Sequence, residues 1–173
     1  MDYRSSHLEK GDDYHAIFTD APHTAMLWEL ERGVLRTTIE KYFPLEAPRL
    51  LDFACGTGRV IEFLSPMCAS SVGVDVSESM VGSARSRGIA SHFVIADITR
   101  DPVLQGQEFD LVTAFRFFPN AEPALRLEAM RALRKLLSPR GVIVFNNHLP
   151  YNSAHNWLLR KSGRDPGHTM SEQ

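Results

Sequence analysis

Cysteine is scarce in this sequence, with only two among 173 residues, Cys55 and Cys68. Two cysteines at this spacing form neither a disulfide framework nor a metal-binding pattern, so we predict no metal site. Cys55 lies within a glycine-containing stretch. We interpret it as a small buried side chain rather than a nucleophile.

The sequence also lacks long apolar runs and an excess of charge of one sign. Its beginning, MDYRSSHLEKGDD, is polar and does not resemble a signal peptide, and no apolar run is long enough to span a bilayer. The formal net charge of −2 provides no broad attraction for nucleic acid. We therefore expect a cytoplasmic protein without a membrane or nucleic-acid partner.

What the sequence does contain is an alternation of short apolar runs with helical patterns. After a helix predicted at 22–42, strands are predicted at 49–53, 71–76, 91–97, 108–115 and 142–147, and helices at 57–64, 77–88 and 122–141. Strands without polar alternation are buried on both faces, and intervening helices imply parallel pairing. The sequence thus predicts a doubly wound, mostly parallel α/β sheet of about five strands, with helices on both faces.

Three successive predicted strands end in an acid: Asp52, Asp75 and Asp97. In such sheets, ligands bind outside the carboxyl ends of the strands. A single carboxylate at a strand end is often only a helix cap. Three in succession favour a ligand site.

A glycine loop, Gly56-Thr57-Gly58, follows the first of these acids. Its glycines allow the backbone to approach a ligand closely and to turn into a helix. Asp75, about 20 residues further on, is placed to accept hydrogen bonds from both hydroxyls of a ribose. The ligand is therefore predicted to contain a nucleoside.

Two cofactor classes contain such a nucleoside. A dinucleotide would place its pyrophosphate on the loop, where Asp52 repels it, and Ile61 occupies the third glycine position of that fingerprint. S-adenosylmethionine is cationic and carries no phosphate, so it removes the conflict. We favour S-adenosylmethionine and keep a nicotinamide-dependent oxidoreductase as the alternative.

Five segments in order resemble motifs of the class I S-adenosylmethionine-dependent methyltransferases. The resemblance extends over about 12–148, and its segments are LLDFACGTGRV, VGVDVSESMV, FVIADI, FDLVTAFRFFPN and LLSPRGVIVFNNH. It implies a Rossmann-like fold and methyl transfer to an oxygen, nitrogen or carbon of a small-molecule acceptor. A non-catalytic binding or scaffold subunit is the alternative.

The resemblance also implies a set of cofactor-binding residues. They are Tyr14, Phe18, Asp52, Ala54, Gly56, Gly58, Asp75, Val76, Met80, Asp97, Ile98 and Phe115. Asp75 would bind the ribose, and Asp97 and Ile98 would flank the exocyclic amine of the adenine. Tyr14 and Phe18 belong to an N-terminal element that closes over the cofactor.

Two departures from the family pattern stand out. The family often has glycine where this chain has Ala54, and the extra methyl group is acceptable there provided that φ stays negative. The family's sheet also continues beyond its fifth strand with a helix and an antiparallel hairpin, which is missing here. The fifth strand would then be an uncovered edge. We expect either a truncated form, which we favour, or a partner subunit in a homo-oligomer that covers this edge.

The domain organisation follows from these assignments. We expect one methyltransferase-like domain over 1–173, with a helical lid segment at 1–48, a cofactor-binding core at 49–148, and a helix and tail at 149–173.

Methyl transfer requires a base only if the acceptor must lose a proton. His148, after the fifth strand, is the candidate, and a solvated or capping loop histidine is the alternative. At least one of Phe117 and Phe118 is expected in the core. For Arg59 we favour a surface role over a catalytic one, and Arg116 either meets an anionic acceptor or reaches solvent.

Overall fold

The computed structural model describes residues 22–146 of the chain, with side chains from residue 25 onward. Its helices are α1 (Pro22–Tyr42), α2 (Arg59–Leu64), α3 (Glu78–Ser86) and α4 (Pro123–Leu136). Its strands are β1 (Arg49–Phe53), β2 (Ser70–Asp75), β3 (His92–Ile95), β4 (Phe109–Ala114) and β5 (Leu137–Phe145). No helix within this range is long and apolar enough to cross a membrane.

The strands form one parallel sheet in the order β3-β2-β1-β4-β5. The chain first builds outward from β1 to β3 and then returns to place β4 on the other side of β1. This reversal makes the carboxyl ends of β1 and β4 the switch point where a doubly wound sheet opens a crevice. The predicted fold class is confirmed.

Adjacent residues of the central strands place their side chains on opposite faces of the sheet, because side chains alternate along a strand. Leu50 packs with Leu35 of α1 and Ile61 of α2 on one face. Leu51 packs on the other face with the apolar stripe of α4, namely Leu125, Ala129, Leu133 and Leu136. Both faces of the sheet are therefore covered by helices.

The boundary between α4 and β5 differs from the prediction. The helix ends at Leu136 rather than at residue 141, and β5 begins at Leu137 rather than at residue 142. Pro139 provides the physical reason, because proline lacks an N–H and disfavours helical backbone in the residue before it. The register between β4 and β5 shifts between Phe109 and Leu111.

The last strand lies at the edge of the sheet. Among residues 22–146, β5 pairs with β4 alone, and Phe145 is 41% exposed. The predicted C-terminal helix and tail at 149–173 lie outside the described residues.

The opposite end of the sheet is fixed by an ion pair. The Asp110 carboxylate accepts hydrogen bonds from the Arg49 Nε at 2.9 Å, from its Nη2 at 3.0 Å and from its backbone N–H at 3.0 Å. Asp110 thus joins β4 to the start of β1, far from the carboxyl ends of the strands.

Candidate functional site

The carboxyl ends of the central strands open into one cleft. Eight of the predicted cofactor-binding residues line it: Asp52, Ala54, Gly56, Asp75, Val76, Met80, Asp97 and Phe115. Tyr14, Phe18 and His148 lie outside the described residues, so their assigned roles stay predictions. Gly58 and Ile98 do not line the cleft.

Asp75 connects the glycine loop to the start of α3. Its Oδ2 accepts a hydrogen bond from the Gly56 N–H at 2.8 Å, and its Oδ1 accepts one from the Ser77 N–H at 2.9 Å. Ser77 in turn caps α3, because its hydroxyl accepts a hydrogen bond from the Met80 N–H at 3.3 Å. Two backbone donors therefore fix the orientation of a carboxylate that lines the cleft.

Asp52 is a buried acid with only 2% of its surface exposed. Its Oδ1 accepts a hydrogen bond from the Thr113 hydroxyl at 2.7 Å, whereas its Oδ2 makes no hydrogen bond of normal geometry within the described residues. Burial raises the pKa of Asp52 to about 7, and the Thr113 hydroxyl, the backbone N–H of Ile61 and, to a smaller extent, Arg59 oppose this rise. The cleft thus contains a carboxyl poised between its charged and neutral forms.

The condition under which the methyl group of Ala54 would be acceptable, a negative φ, is not met. Its φ is +55°, in the left-handed region that favours glycine. The reason is the sharp turn that takes the chain from β1 into the glycine loop, which continues with Gly56 at φ +53°. The methyl group of Ala54 lies at the cleft on a strained backbone.

Replacing Ala54 with glycine should therefore stabilise the fold. Left-handed backbone costs a non-glycine residue roughly 1–2 kcal/mol, and the greater freedom of glycine in the unfolded chain costs about 0.4–1 kcal/mol. We expect the free energy of unfolding, measured in urea, to rise by about 0.5 kcal/mol. Ala96→Gly is the matched control, because Ala96 also lines the cleft but lacks a positive φ. The control should lose stability, and an equal loss in Ala54→Gly would contradict the strain.

Gly58 has a packing role behind the loop. Its φ is +84°, and its N–H donates a hydrogen bond to the Cys55 carbonyl at 2.9 Å. A Cβ added there would lie 2.7 Å from the Ile89 Cδ1 and 3.1 Å from the Ala84 Cβ. The absence of a side chain lets α3 and the segment after it pack against the loop.

Gly58→Ala is expected to destabilise the protein by about 3 kcal/mol, the sum of backbone strain and overpacking. Urea unfolding measures this loss. Gly33→Ala is the control, because its added Cβ has no neighbour within 4 Å and helix α1 gains from alanine. Similar stabilities of the two variants would show that the close approach is not restrictive.

Asp97 and Ile98 have different surroundings after β3. The Asp97 Oδ1 accepts hydrogen bonds from the Thr99 hydroxyl at 2.6 Å and from the Thr99 N–H at 3.0 Å, so this carboxylate both caps a turn and lines the cleft. Ile98 is buried and packs in the core cluster with Phe53 and Val74.

Phe117 and Phe118 are both buried, at 3% and 4% exposure, which confirms that at least one belongs to the core. Phe117 stacks edge-to-face on Phe53 with ring centroids 4.7 Å apart, and it also lines the cleft. The aromatic pair makes this wall of the cleft apolar.

Cys55 is buried and lines the cleft. Burial, followed by the charges of Asp52 and Asp75, raises the pKa of its thiol well above the usual range. A thiol in this state is a poor nucleophile, in agreement with its interpretation as a buried filler. Over residues 22–146, no group of three or more His, Cys, Asp or Glu side chains is arranged to hold a metal ion.

A partly buried charged group that the sequence analysis missed centres on Glu31 of α1. Its Oε2 lies 3.5 Å from the Arg59 Nη2, and its Oε1 lies 3.5 Å from the Arg116 Nη2. The Asn146 Nδ2 donates a hydrogen bond to the same Oε1 at 3.0 Å. Helical spacing could have indicated this position of Glu31 from the sequence. Glu31 lies one helical turn from both Trp28 and Leu35, which are on the packed side of α1.

Arg59, for which a surface role is favoured over catalysis, is only partly exposed. Its side chain is 19% exposed, lies over the Trp28 ring at 4.4 Å from the centroid, and lines the cleft. Arg116 also lines the cleft and has a φ of +65°. Its N–H donates a hydrogen bond to the Asn146 Oδ1 at 2.6 Å, which joins the ends of β4 and β5.

Comparison with known proteins places these features in a family. Residues 50–141, more than half of the chain, match the methyltransferase domain family. A malonyl-[acyl-carrier protein] O-methyltransferase of Enterobacter lignolyticus is 29% identical over 128 residues, which cover 72% of this chain and 49% of that protein. A dTDP-4-amino-2,3,4,6-tetradeoxy-D-glucose N,N-dimethyltransferase of Saccharopolyspora spinosa is 34% identical over 135 residues, covering 75% and 53%.

A similar solved structure is that of CalS10 with bound S-adenosylmethionine, an amino pentose methyltransferase from Micromonospora echinaspora. It superposes with a TM-score of 0.60 at 28% identity and covers 68% of this chain and 50% of CalS10. The chain spans about half the length of the curated relatives it matches. From the family match over its central sheet, we conclude that the chain belongs to the methyltransferase domain family.

Proposed function

We propose that the protein catalyses transfer of the methyl group of S-adenosylmethionine to an oxygen, nitrogen or carbon atom of a small molecule. One observation carries this proposal: the cleft holds the oriented Asp75 carboxylate beside the glycine loop and the buried Asp52 below it. The relatives support the same reaction class, since their names include O- and N-methyltransferases of small molecules.

The charges in the cleft suit this cofactor. Asp52 has a buried Oδ2 without a hydrogen bond of normal geometry, and an ammonium group is a suitable partner for it. Asp75 would accept hydrogen bonds from the ribose hydroxyls, and Asp97 would lie toward the adenine amine. Val76 and Met80 supply apolar surface for the adenine ring. A pyrophosphate in the same place would meet both Asp52 and Asp75.

S-adenosylmethionine supplies a methyl group that its sulfonium already activates. The residues of this chain therefore have mainly to position the cofactor and the acceptor and to exclude water. Phe115 and Phe117 form apolar walls where the acceptor would approach. We propose His148 as the base for acceptors that must lose a proton. A cytoplasmic location, which we also propose, suits the free thiols of Cys55 and Cys68.

The test is release of S-adenosylhomocysteine from S-adenosylmethionine during incubation with acceptor panels of amino sugars, phenols and acyl thioesters. Turnover with one class would support the proposal and identify the acceptor. Binding of the cofactor without turnover by any class would instead favour a non-catalytic subunit. Tight binding of NAD with no binding of S-adenosylhomocysteine would overturn the proposal.

A further inference from the structure

Helix α1 is apolar on two sides. Its inner side packs in the core through the fully buried Leu35 and the partly buried Trp28 and Ile39. Its outer side carries four apolar residues, each at least 42% exposed: Met26, Leu27, Leu30 and Val34. A helix that is apolar all round is normally buried on all sides. Within residues 22–146, however, the outer side of α1 stays exposed.

The exposed residues follow one side of the helix for most of its length. Leu30, Val34, Thr37 and Lys41 recur at intervals of three or four residues, which places them in one row. Together with Gly33 they line a groove of about 530 Å³. A Cβ added to Gly33 would meet no atom within 4 Å, so the middle of this row leaves room for another helix. We call this surface the α1 stripe and define it as Leu27, Leu30, Gly33, Val34, Thr37 and Lys41.

The groove has one acidic and one basic side chain in its lining, Glu29 and Lys41. They are 12 residues apart, or about 18 Å along the helix. The Glu29 Oε1 accepts a hydrogen bond from the Arg32 Nη1 at 2.8 Å, but both side chains are partly exposed, so this pair contributes little. The Lys41 ammonium lies 5.1 Å from the centroid of the Tyr42 ring and forms no ion pair among the described residues. The two ends of the stripe therefore present opposite charges to a partner.

We propose that the α1 stripe binds the α1 stripe of a second copy of this chain, with the two helices antiparallel. A two-fold axis at the level of residue 35, halfway between Glu29 and Lys41, would place Glu29 of each copy opposite Lys41 of the other. In a parallel pair the same groups repel, because Glu29 would meet Glu29 and Lys41 would meet Lys41. The charges thus select the antiparallel arrangement.

The apolar surface matches in the same arrangement. Gly33 of one copy would lie at the level of Thr37 of the other, so small side chains would meet at the centre and let the two helices approach closely. Leu27 would lie toward the exposed Tyr42 of the second copy. The apolar residues at the start of one stripe would therefore be covered by the end of the other.

A second copy suits this surface better than the segment that precedes α1. The aromatic residues of that segment, Tyr14 and Phe18, are already predicted to contact the cofactor. The stripe also differs from the β5 edge, because no residue of β5 lines the groove. A helix of 21 residues is about 31 Å long, so a pair of them buries an area at the lower end of specific interfaces. We therefore expect a reversible dimer with a micromolar dissociation constant.

The experiment is sedimentation equilibrium of the full chain, without cofactor, over a concentration series that spans the micromolar range. Leu30→Lys places a charge in the stripe. Leu127→Lys is the matched control, because Leu127 is 60% exposed on α4 and Leu30 is 62% exposed on α1. We expect Leu30→Lys to raise the dissociation constant at least about tenfold, since two leucines are lost from each interface, and Leu127→Lys to leave it unchanged. Thermal unfolding confirms that each variant is folded.

Charge reversal tests the direction of the helices. Glu29→Lys and Lys41→Glu should each weaken the dimer, and the double variant should regain wild-type association, because only an antiparallel pair restores both contacts. A double variant as weak as the single ones would contradict the antiparallel pairing. A wild-type chain that stays monomeric throughout the series, or a dimer that Leu30→Lys leaves intact, would overturn the inference. Neither result bears on the proposed function, since the assay contains no cofactor.

Discussion

Replacing Asp75 with asparagine should lower the affinity for S-adenosylhomocysteine by about 100-fold or more. In wild type the two carboxylate oxygens of Asp75 accept hydrogen bonds from the N–H groups of Gly56 and Ser77. An asparagine amide has one oxygen that accepts and one NH2 group that donates, so one of these two N–H groups would face a donor instead of an acceptor. The same change removes the charged acceptor proposed for the ribose hydroxyls. Losing two such contacts is worth roughly 3 kcal/mol, which corresponds to that factor.

Asp110→Asn provides the matched control for this substitution. Like Asp75, Asp110 accepts a hydrogen bond from a backbone N–H, and its replacement also removes a negative charge. Asp110 differs in its location, because it pairs with Arg49 at the opposite end of the sheet. Its replacement should lower the thermal stability and leave cofactor affinity within about twofold of wild type. Calorimetry on both variants separates the two effects. Wild-type affinity in Asp75→Asn would remove the main support for a nucleoside ligand.

Replacing Asp52 with asparagine should stabilise the protein at alkaline pH and weaken its binding of the cofactor. The pKa of Asp52 is raised from 3.8 to about 7 because burial penalises the charged carboxylate. A shift of about three pKa units corresponds to roughly 4 kcal/mol. Asparagine keeps the acceptor for the Thr113 hydroxyl without the buried charge.

The sign of the pH dependence follows from the raised pKa. Between about pH 4 and pH 7 the folded protein retains a proton on Asp52 that the unfolded chain has released, so this group makes stability fall as the pH rises. The difference in free energy of unfolding between Asp52→Asn and wild type should therefore grow by up to about 4 kcal/mol from pH 4 to pH 8. Urea unfolding of both proteins at several pH values measures it. A difference that stays constant with pH would show that Asp52 is ionised throughout.

Cofactor binding should show the opposite dependence on pH in wild type. A cationic ligand favours the ionised carboxylate, so affinity should be flat above pH 7 and fall toward tenfold per pH unit below it. Asp52→Asn should lack this decrease and bind more weakly at pH 8. Asp52 thus lowers the stability of the empty protein while serving the ligand, as polar groups in functional sites often do.

Much of the fold was predictable because its strands are short apolar runs with clear boundaries. The helix at 22–42 and the strand at 49–53 have the predicted bounds. The end of α4 was not predicted correctly, because Leu136 and Leu137 continue the apolar pattern of the helix. Pro139 is the first residue of this segment that disfavours helical backbone. Local pattern alone does not show that β4 accepts the residues after Leu136 as a paired strand.

The cleft was predictable where its residues follow strands, since the carboxyl ends of parallel strands meet at one edge of a sheet. The conformation of Ala54 was not, because a positive φ depends on how the loop closes rather than on the residue itself. Glu31 was missed because it lies far from the strand ends in sequence, and α1 reaches Arg59 and Arg116 only by tertiary packing. The sequence analysis treated Arg59 and Arg116 separately, whereas in the structure both pair with Glu31.

The most direct measurement is a crystal structure of the protein with S-adenosylhomocysteine. We predict the ribose hydroxyls on the Asp75 carboxylate, the ammonium group on the Asp52 side of the glycine loop, and the adenine between Val76 and Asp97. Electron density for the ligand away from this edge of the sheet would contradict the proposed cofactor site. A nicotinamide dinucleotide with its pyrophosphate on Gly56 would do the same.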